Sequence, residues 1–317
     1  MKVVYLLQNP GIRSMTPAGW RSAVVASSGG TYRSEDLVEV EDADAFVVGL
    51  EPVDEKLLAR SGRLRLIQRL GRGHDNIDVD AASRRSIAVC GMPDFNAESV
   101  AEHTVMLTLA LLRRVFESTL LMKAGRWPVT EVVGQGIFDL AGKTVGIVGY
   151  GAIGRAVADR MRAFNTVPYV HDSDPRRTRE EAELLPLDEL LERADVVTLH
   201  VPLTPETKGF IGKRELALMK RTAILVNTAR GALVDELALA NALTAGALAG
   251  AGIDVYSDEP LDPKHPLRRC PNILLTPHTA GQTREAMERM VTFMLDNLRR
   301  LERGEPFQHV INDVRPK

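Results

Sequence analysis

Three side chains suited to one reaction follow predicted strands in the second half of the chain. Arg230 comes directly after the apolar run 223–229, Glu259 follows the run 249–255, and His278 follows the run 273–277. An arginine offers a planar, permanently charged fork that binds a carboxylate and polarises the adjacent carbonyl. A histidine exchanges protons near neutral pH, and a glutamate beside it orients the imidazole and favours its charged form. These residues predict hydride transfer between a nicotinamide and a carbon that bears oxygen next to a carboxylate.

A glycine-rich turn indicates where the dinucleotide binds. Gly149, Gly151 and Gly154 have the G-x-G-x-x-G spacing, and they lie between the β-prone run 144–148 and a helical pattern that begins at Ala152. The first glycine permits a tight turn, the second lets backbone N–H groups approach a pyrophosphate, and the third allows close packing of helix and strand. Because a strand precedes the turn and a helix follows it, we predict a cofactor site here.

The residue after the next strand bears on which cofactor binds. Asp172 ends the run 167–171 and lies 18 residues beyond Gly154. A carboxylate at this point accepts hydrogen bonds from the adenosine ribose and repels a 2′-phosphate, which favours NAD. Arg176 and Arg177 follow closely, and an arginine there can accommodate the extra phosphate of NADP. NADP therefore stays open as the alternative.

Alternating strand and helix patterns must position these residues. The first part of the chain has strand-like runs at 3–7, 45–50, 64–70 and 87–92, with helical candidates at 16–26, 53–61 and 79–85. From Lys143 onward six further runs alternate with helices, at 144–148, 167–171, 196–201, 223–229, 249–255 and 273–277. Helices are predicted at 187–193, 213–219 and 235–245, and an amphipathic one at 283–303. This alternation is typical of α/β proteins with parallel sheets.

Ligands of open parallel sheets bind beyond the carboxyl ends of the strands. Besides the residues above, this edge of the second sheet includes His200 with Pro202, and Asp254. Asp254 suits a nicotinamide carboxamide, although a capping or turn role fits it almost as well. In the first sheet, Gly71 and Gly73 lie in a loop whose backbone amides could bind a carboxylate. A plain turn explains this loop equally well.

The segment between the two sheets has two distinct parts. Residues 97–114 are apolar on almost every face, which predicts a buried helix at the domain junction. We expect packing roles for Glu102 and His103 within it. Residues 115–140, which include Trp127, form either a dimer arm or a surface crossover.

Composition narrows the possible partners. The chain has 317 residues, a formal net charge of −2, 44% hydrophobic and 26% charged residues. It shows no basic footprint for nucleic acid, no membrane span and no signal-peptide core, and we expect no metal site. Cys90 and Cys270 form no disulfide framework. We therefore expect a cytoplasmic protein with a small-molecule partner.

Motifs along nearly the whole chain resemble those of the D-isomer-specific 2-hydroxyacid dehydrogenases. They are LGRGHDNID (70–78), NAESVAEHT (96–104), VGIVGYGAIGR (145–155), ADVVTLHVPLTPETKGFIG (194–212), ILVNTARGALVDE (224–236), GAGIDVYSDEP (250–260) and LLTPHTAG (274–281). The resemblance implies two doubly wound parallel-sheet domains: a flavodoxin-like substrate domain (1–96 and 285–317) and, inserted in it, an NAD-binding Rossmann domain (97–284). It also implies a homodimer formed through the cofactor domains, which favours the dimer-arm interpretation of Trp127.

The resemblance implies site residues as well. Its catalytic set is Arg230, Glu259 and His278. Its substrate-binding positions are Gly71, Arg72, Gly73 and Asn96. Its cofactor-binding positions are Thr104, Gly149, Gly151, Ala152, Ile153, Gly154, Asp172, His200, Pro202, Thr207, Thr228, Ala229, Asp254 and Gly281.

The implied substrates are small 2-oxo acids or D-2-hydroxy acids of the glyoxylate, hydroxypyruvate or pyruvate type. Formate dehydrogenases of the superfamily pair the histidine with glutamine, so Glu259 argues against formate. A short-form phosphoglycerate dehydrogenase is an alternative, as is an NADH-sensing binding protein similar to transcriptional corepressors. Arg72 either reads a second anionic group or faces solvent.

Overall fold

A computed structural model describes residues 1–7, 16–71, 73–174, 176 and 182–314. In these residues the strands are β1 (Lys2–Leu6), β2 (Arg21–Val25), β3 (Ser27–Ser28), β4 (Thr31–Tyr32), β5 (Ala45–Val48), β6 (Leu66–Arg69), β7 (Ala88–Cys90), β8 (Thr144–Val148), β9 (Val167–His171), β10 (Glu183–Leu184), β11 (Val196–Leu199), β12 (Ile224–Asn227), β13 (Gly250–Ile253) and β14 (Ile273–Leu275). The α-helices are α1 (Glu55–Arg60), α2 (Val79–Arg84), α3 (Ala97–Leu112), α4 (Val115–Lys123), α5 (Val129–Gly134), α6 (Ala152–Arg162), α7 (Leu187–Arg193), α8 (Lys213–Leu218), α9 (Glu236–Thr244) and α10 (Arg284–Arg303). Short 3₁₀-helices cover Asp36–Val40, Gly231–Leu233 and Pro266–Arg269.

The chain divides into two compact units, residues 1–95 with 284–317 and residues 96–283. The first unit contains a parallel sheet in the order β2-β1-β5-β6-β7. One face of this sheet packs against α1 and α2, and the other packs against the apolar side of α10 through Met290, Met294 and Leu298. The strand order is that of flavodoxin-like folds, as predicted.

The second unit contains a parallel sheet in the order β10-β9-β8-β11-β12-β13-β14. Apolar side chains cover both faces, with α3 and α6 on one side and α7, α8 and α9 on the other. The direction of chain progression reverses between β8 and β11, so ligands are expected at the carboxyl ends of these strands. This arrangement confirms the predicted Rossmann sheet.

Three predictions about elements were wrong or incomplete. The helix expected at 16–26 is absent, because Arg21–Val25 pairs along β1 as a parallel edge strand. Its β-branched valines suit a half-buried strand, and the pairing outweighs the weak helical pattern. The second sheet has a seventh, two-residue strand, β10, at its edge. Residues 115–140, for which no helix was predicted, contain α4 and α5.

Among the described residues, the helices are too short or too polar to span a lipid bilayer.

Candidate active site

Each of the three glycines in the turn after β8 suits its position for a different physical reason. Gly149 has φ of +95°, and a Cβ there would lie 2.7 Å from the carbonyl carbon of His200. At Gly154, on α6, a Cβ would lie 2.0 Å from the carbonyl oxygen of Gly149. At Gly151, which precedes α6, a Cβ would meet nothing within 4 Å. The turn is therefore closely packed at Gly149 and Gly154 and open at Gly151. The first N–H groups of α6, beside Gly151, suit a pyrophosphate.

Asp172 lies beside this turn, immediately after β9. Its carboxylate accepts hydrogen bonds from the backbone N–H of Tyr150 at 2.7 Å and of Asp174 at 2.9 Å. The guanidinium of Arg176 makes two bonds to Asp174, at 2.8 and 3.1 Å, while Arg177 lies outside the described residues. A fixed carboxylate at this position suits ribose hydroxyls better than a phosphate.

His278 and Glu259 are in direct contact. The imidazole Nδ1 lies 2.8 and 3.1 Å from the two carboxylate oxygens, and both side chains are about one-third exposed. The N–H of Tyr256 also donates to Glu259, at 3.0 Å. Burial opposes ionisation of Glu259, but His278, this N–H and the charge of Arg230 together lower its pKa. The carboxylate therefore stays ionised, and the Nε2 edge of His278 is left for proton exchange.

Arg230 ends a tight turn that follows β12. The side chain of Asn227 holds this turn, because its amide donates to the Arg230 carbonyl at 2.9 Å and its oxygen accepts from the N–H of Ala229 at 3.1 Å. An Arg230 Nη1 group donates to the carbonyl of Ala229 at 2.8 Å. Sequence reasoning missed Asn227, although a buried amide at the end of an apolar strand is a recognisable turn signal.

Asp254 shapes the turn that carries His278. It is fully buried, and its carboxylate accepts from the Thr276 hydroxyl at 2.6 Å, the Thr279 N–H at 3.0 Å and the Ala280 N–H at 2.9 Å. His278 has φ of +55°, a left-handed conformation that costs a non-glycine residue about 1–2 kcal/mol. Hydrogen bonds from both sides of this residue offset the cost. The contact of Asp254 with a nicotinamide stays a prediction.

The side chains of Tyr256 and His103 make further hydrogen bonds at the ends of β13 and β14. The Tyr256 hydroxyl lies 2.9 Å from the Thr276 carbonyl and 3.2 Å from that of Ile253, and burial raises its pKa to about 12. The ring of His103, on α3, lies 3.0 Å from the Thr276 hydroxyl. His103 thus supports the Asp254 network, a more specific contact than the packing role predicted for it.

The remaining predicted cofactor residues of the second unit lie on α3, on α6 or in the segments that follow the strands. The hydroxyls of Thr104 and Thr228 are 3.1 Å apart, and Thr207 donates to the Pro202 carbonyl at 2.8 Å. His200 bonds Thr198 through Nε2 at 2.9 Å, and burial lowers its pKa to about 3, so its ring is neutral. Ala152 and Ile153 form the first turn of α6, and Ala229 precedes Arg230.

The predicted substrate-binding positions divide between the units. Asn96 belongs to the second unit, where a Cβ on Gly281 would lie 2.5 Å from its amide nitrogen. Gly71 and Gly73 follow β6 in the first unit, and Arg72 lies outside the described residues. A Cβ on Gly71 would lie 3.1 Å from the Arg69 guanidinium, so this loop packs closely on a buried cation.

Comparisons with known proteins show which family the chain is similar to. Residues 105–280 match the family model described as "D-isomer specific 2-hydroxyacid dehydrogenase, NAD binding domain". A glyoxylate reductase of Korarchaeum cryptofilum is 41% identical over 88% of this chain and 87% of its own length. A D-3-phosphoglycerate dehydrogenase of Methanocaldococcus jannaschii is 40% identical over 89% of this chain, which spans 54% of that protein.

A solved structure extends the likeness to three dimensions. The NAD-dependent formate dehydrogenase of Staphylococcus aureus, crystallised with NAD, has a TM-score of 0.87 and 30% identity, and the match covers 99% of this chain and all of that one. Since the family model covers more than half of the chain and the relatives align over most of it, the chain belongs to the D-isomer-specific 2-hydroxyacid dehydrogenases, NAD-dependent oxidoreductases of 2-hydroxy acids.

Proposed function

We propose that the protein reduces a small 2-oxo acid, of the glyoxylate, hydroxypyruvate or pyruvate type, to the D-2-hydroxy acid with NADH. The observation that carries this proposal is the bond between His278 and Glu259, within reach of the charge of Arg230. This set combines a proton donor, a fixed carboxylate that orients it, and a cation for the substrate. The glyoxylate reductase similarity supports the substrate class.

Each catalytic residue has a separate task. The guanidinium of Arg230 binds the substrate carboxylate and polarises the neighbouring carbonyl. His278 donates a proton from Nε2 to the carbonyl oxygen during reduction and accepts it during oxidation. Glu259 holds the Nδ1 edge and stabilises the imidazolium that donates. When bound, the cofactor supplies the hydride in reduction and accepts it in oxidation.

The cofactor fits residues of the second unit (96–283), which makes up nearly all of the NAD domain that we propose (97–284). The open part of the glycine turn, at Gly151, takes the pyrophosphate, and Asp172 takes the adenosine ribose. The other proposed contacts are Thr104, Ala152, Ile153, His200, Pro202, Thr207, Thr228, Ala229, Asp254 and Gly281. Residues 1–96 with 285–317 form the proposed substrate domain, in which amides of Gly71–Gly73 bind the substrate carboxylate; Asn96 is a further substrate contact.

A panel of 2-oxo acids assayed with NADH and with NADPH tests the proposal. We expect kcat/KM to be highest for an unbranched small acid with NADH. In the reverse direction, only the D-isomer of the hydroxy acid should be oxidised. His278→Ala should lose most turnover while still binding NADH, and Arg230→Lys should also be costly because a point charge cannot reproduce the fork. Normal turnover by His278→Ala would contradict the assigned proton donor.

A phosphoglycerate dehydrogenase activity is the second candidate, because relatives with that name are about 40% identical. Assays with 3-phosphoglycerate and NAD separate it from the first. An NADH-sensing binding protein would bind NADH tightly and turn over none of the acids. Glu259 argues against formate as the substrate. An assay with formate and NAD is the control for that activity.

We also propose a homodimer in the cytoplasm, with no nucleic-acid or membrane partner. The support for the dimer is the surface of α4, α5 and the segment between them, where Phe116 on α4 is 58% exposed and Trp127 in the connecting segment is 80% exposed. Exposed aromatic side chains of this size favour a protein interface. The molar mass in solution, measured by light scattering, tests the dimer, and a Trp127→Ser variant should shift it toward the monomer.

A further inference from the structure

The carboxylate that orients His278 lies on an irregular loop. This loop, residues 256–265, leaves the end of β13 and reaches the 3₁₀-helix Pro266–Arg269. A catalytic carboxylate must be held to within about half an ångström to be effective. The Tyr256 N–H donates to the Glu259 carboxylate, and His278 contacts it. Further bonds are needed to fix the rest of the loop.

Glu236 supplies a bond at the beginning of the loop. It is the first residue of α9, and one of its carboxylate oxygens accepts from the backbone N–H of Ser257 at 2.7 Å. Asp235 caps the same helix by accepting from the N–H groups of Leu237 and Ala238. Because Asp235 satisfies the helix end, the carboxylate of Glu236 is available to the loop.

The same carboxylate also reaches the end of the loop. Its second oxygen lies 3.1 Å from Nε2 of His265, and the two side chains are only 12% and 19% exposed. Nδ1 of His265 accepts from the Leu267 N–H at 3.4 Å. Since Nδ1 accepts a hydrogen bond, Nε2 carries a proton and donates to Glu236. One carboxylate thus joins the two ends of the loop, and Glu259 lies between them.

The loop also packs against the turn that carries Arg230. A Cβ on Gly231 would lie 1.9 Å from the carbonyl carbon of Tyr256 and 2.3 Å from the nitrogen of Ser257. Any shift of Ser257 therefore affects the segment beside Arg230 as well as Glu259. The bond from Ser257 to Glu236 therefore helps to fix both the segment beside Arg230 and the position of Glu259.

We propose that Glu236 and His265 form a positioning pair that holds the catalytic loop so that Glu259 can orient His278. The inference rests on the proposed function, since it assigns a task to residues behind the proposed catalytic set. Neither residue is expected to touch substrate or cofactor. Loss of the pair should therefore lower kcat and leave NADH binding unchanged.

Four variants separate the two bonds of Glu236. Glu236→Ala removes both and should lower kcat about tenfold or more, with the KM and Kd for NADH within about twofold of wild type. Glu236→Gln keeps an oxygen for Ser257 but turns an amide donor toward His265, so its loss should be smaller. His265→Ala should resemble Glu236→Gln. His265→Gln restores a donor near the Nε2 position and should recover most of the kcat that His265→Ala loses.

Glu215 provides a matched control. It is similarly buried, at 15% exposure, and its carboxylate accepts from the Gly212 N–H at 3.0 Å at the start of α8 rather than from the loop. Glu215→Ala should lower the melting temperature without lowering kcat. If Glu236→Ala is too unstable to assay, the pair Glu236→Gln and His265→Gln gives the same comparison.

The outcomes are distinct. Wild-type kcat in Glu236→Gln and His265→Ala, or equal losses in His265→Ala and His265→Gln, would overturn the positioning pair. Weakened NADH binding in parallel with kcat would also overturn it and indicate a general structural role. If the wild-type protein reduces none of the 2-oxo acids, the proposed function itself is wrong, whereas full turnover by Glu259→Gln would overturn the role of Glu259 that the positioning pair serves.

Discussion

Gly231→Ala tests how closely the Arg230 turn and the Glu259 loop must approach each other. The new methyl group would lie 1.9 Å from a backbone carbon of Tyr256, whereas ordinary contacts begin at 3.4 Å, so the two segments must separate by about 1.5 Å. Both neighbours are backbone, which cannot rotate away as a side chain can. Overpacking of this kind costs about 1–3 kcal/mol of stability. A displacement of about 1 Å between catalytic groups costs on the order of 100-fold in rate. We therefore expect a kcat about 100-fold below wild type.

The assay compares kcat, the Kd for NADH and the melting temperature of Gly231→Ala with those of Gly134→Ala. Gly134 lies at the end of α5, where a Cβ would meet nothing within 4 Å, so this control should keep kcat and lose no stability. The Kd for NADH should stay within about threefold in both variants, because the glycine turn after β8 is unchanged. A Gly231→Ala enzyme with kcat within twofold of wild type would refute the reasoning, since it would show that the loop can move without consequence.

Three further predictions address other residues. Asp172→Ala should weaken NADH binding about tenfold or more and NADPH binding much less, measured by fluorescence titration; equal losses would remove the ribose assignment. Folding lowers the pKa of Glu259 below its ordinary value of 4.5, so its ionised form stabilises the protein fully above pH 4.5 and this contribution is lost as the pH falls through the lower, native value. The difference in unfolding free energy between wild type and Glu259→Gln should therefore shrink below pH 4.5 in urea titrations. Burial raises the pKa of Cys90 to about 12, so this thiol should react with a disulfide reagent only after unfolding, and a fast native reaction would contradict its burial.

The sequence predicts most of the sheet because buried parallel strands are continuous apolar runs. The strands β8, β9 and β11–β14 all coincide with such runs, and α7 was predicted to the residue. The edges were harder to predict. β2 is half exposed and, among the strands of the described residues, pairs with β1 alone, while β10 has two exposed residues. Such short edge strands depend on pairing with a distant neighbour, which local pattern does not encode.

The candidate site divides in the same way. Arg230 and His278 could be identified because each is a reactive side chain at the end of an apolar run. Apart from Glu259, the groups that hold them were not identified, because their partners are backbone groups or residues far along the chain. Asn227 acts on the backbone of its own turn, and Glu236 bonds the N–H of Ser257, 21 residues away. Sequence pattern identifies a reactive side chain more readily than it identifies what holds that side chain in place.

Asp254 illustrates why this difference matters for function. Read from the sequence, a carboxylate at a strand end suggests a contact with the cofactor. In the structure three donors from residues 276–280 already reach its two oxygens, and the His278 N–H donates to its carbonyl at 2.8 Å. A buried carboxylate with that many donors is costly to replace, because a neutral side chain leaves N–H groups without a partner. Asp254→Ala should therefore impair His278 through its turn, even where NADH still binds. Loss of NADH binding alone, with turnover intact at saturating NADH, would instead support the cofactor contact.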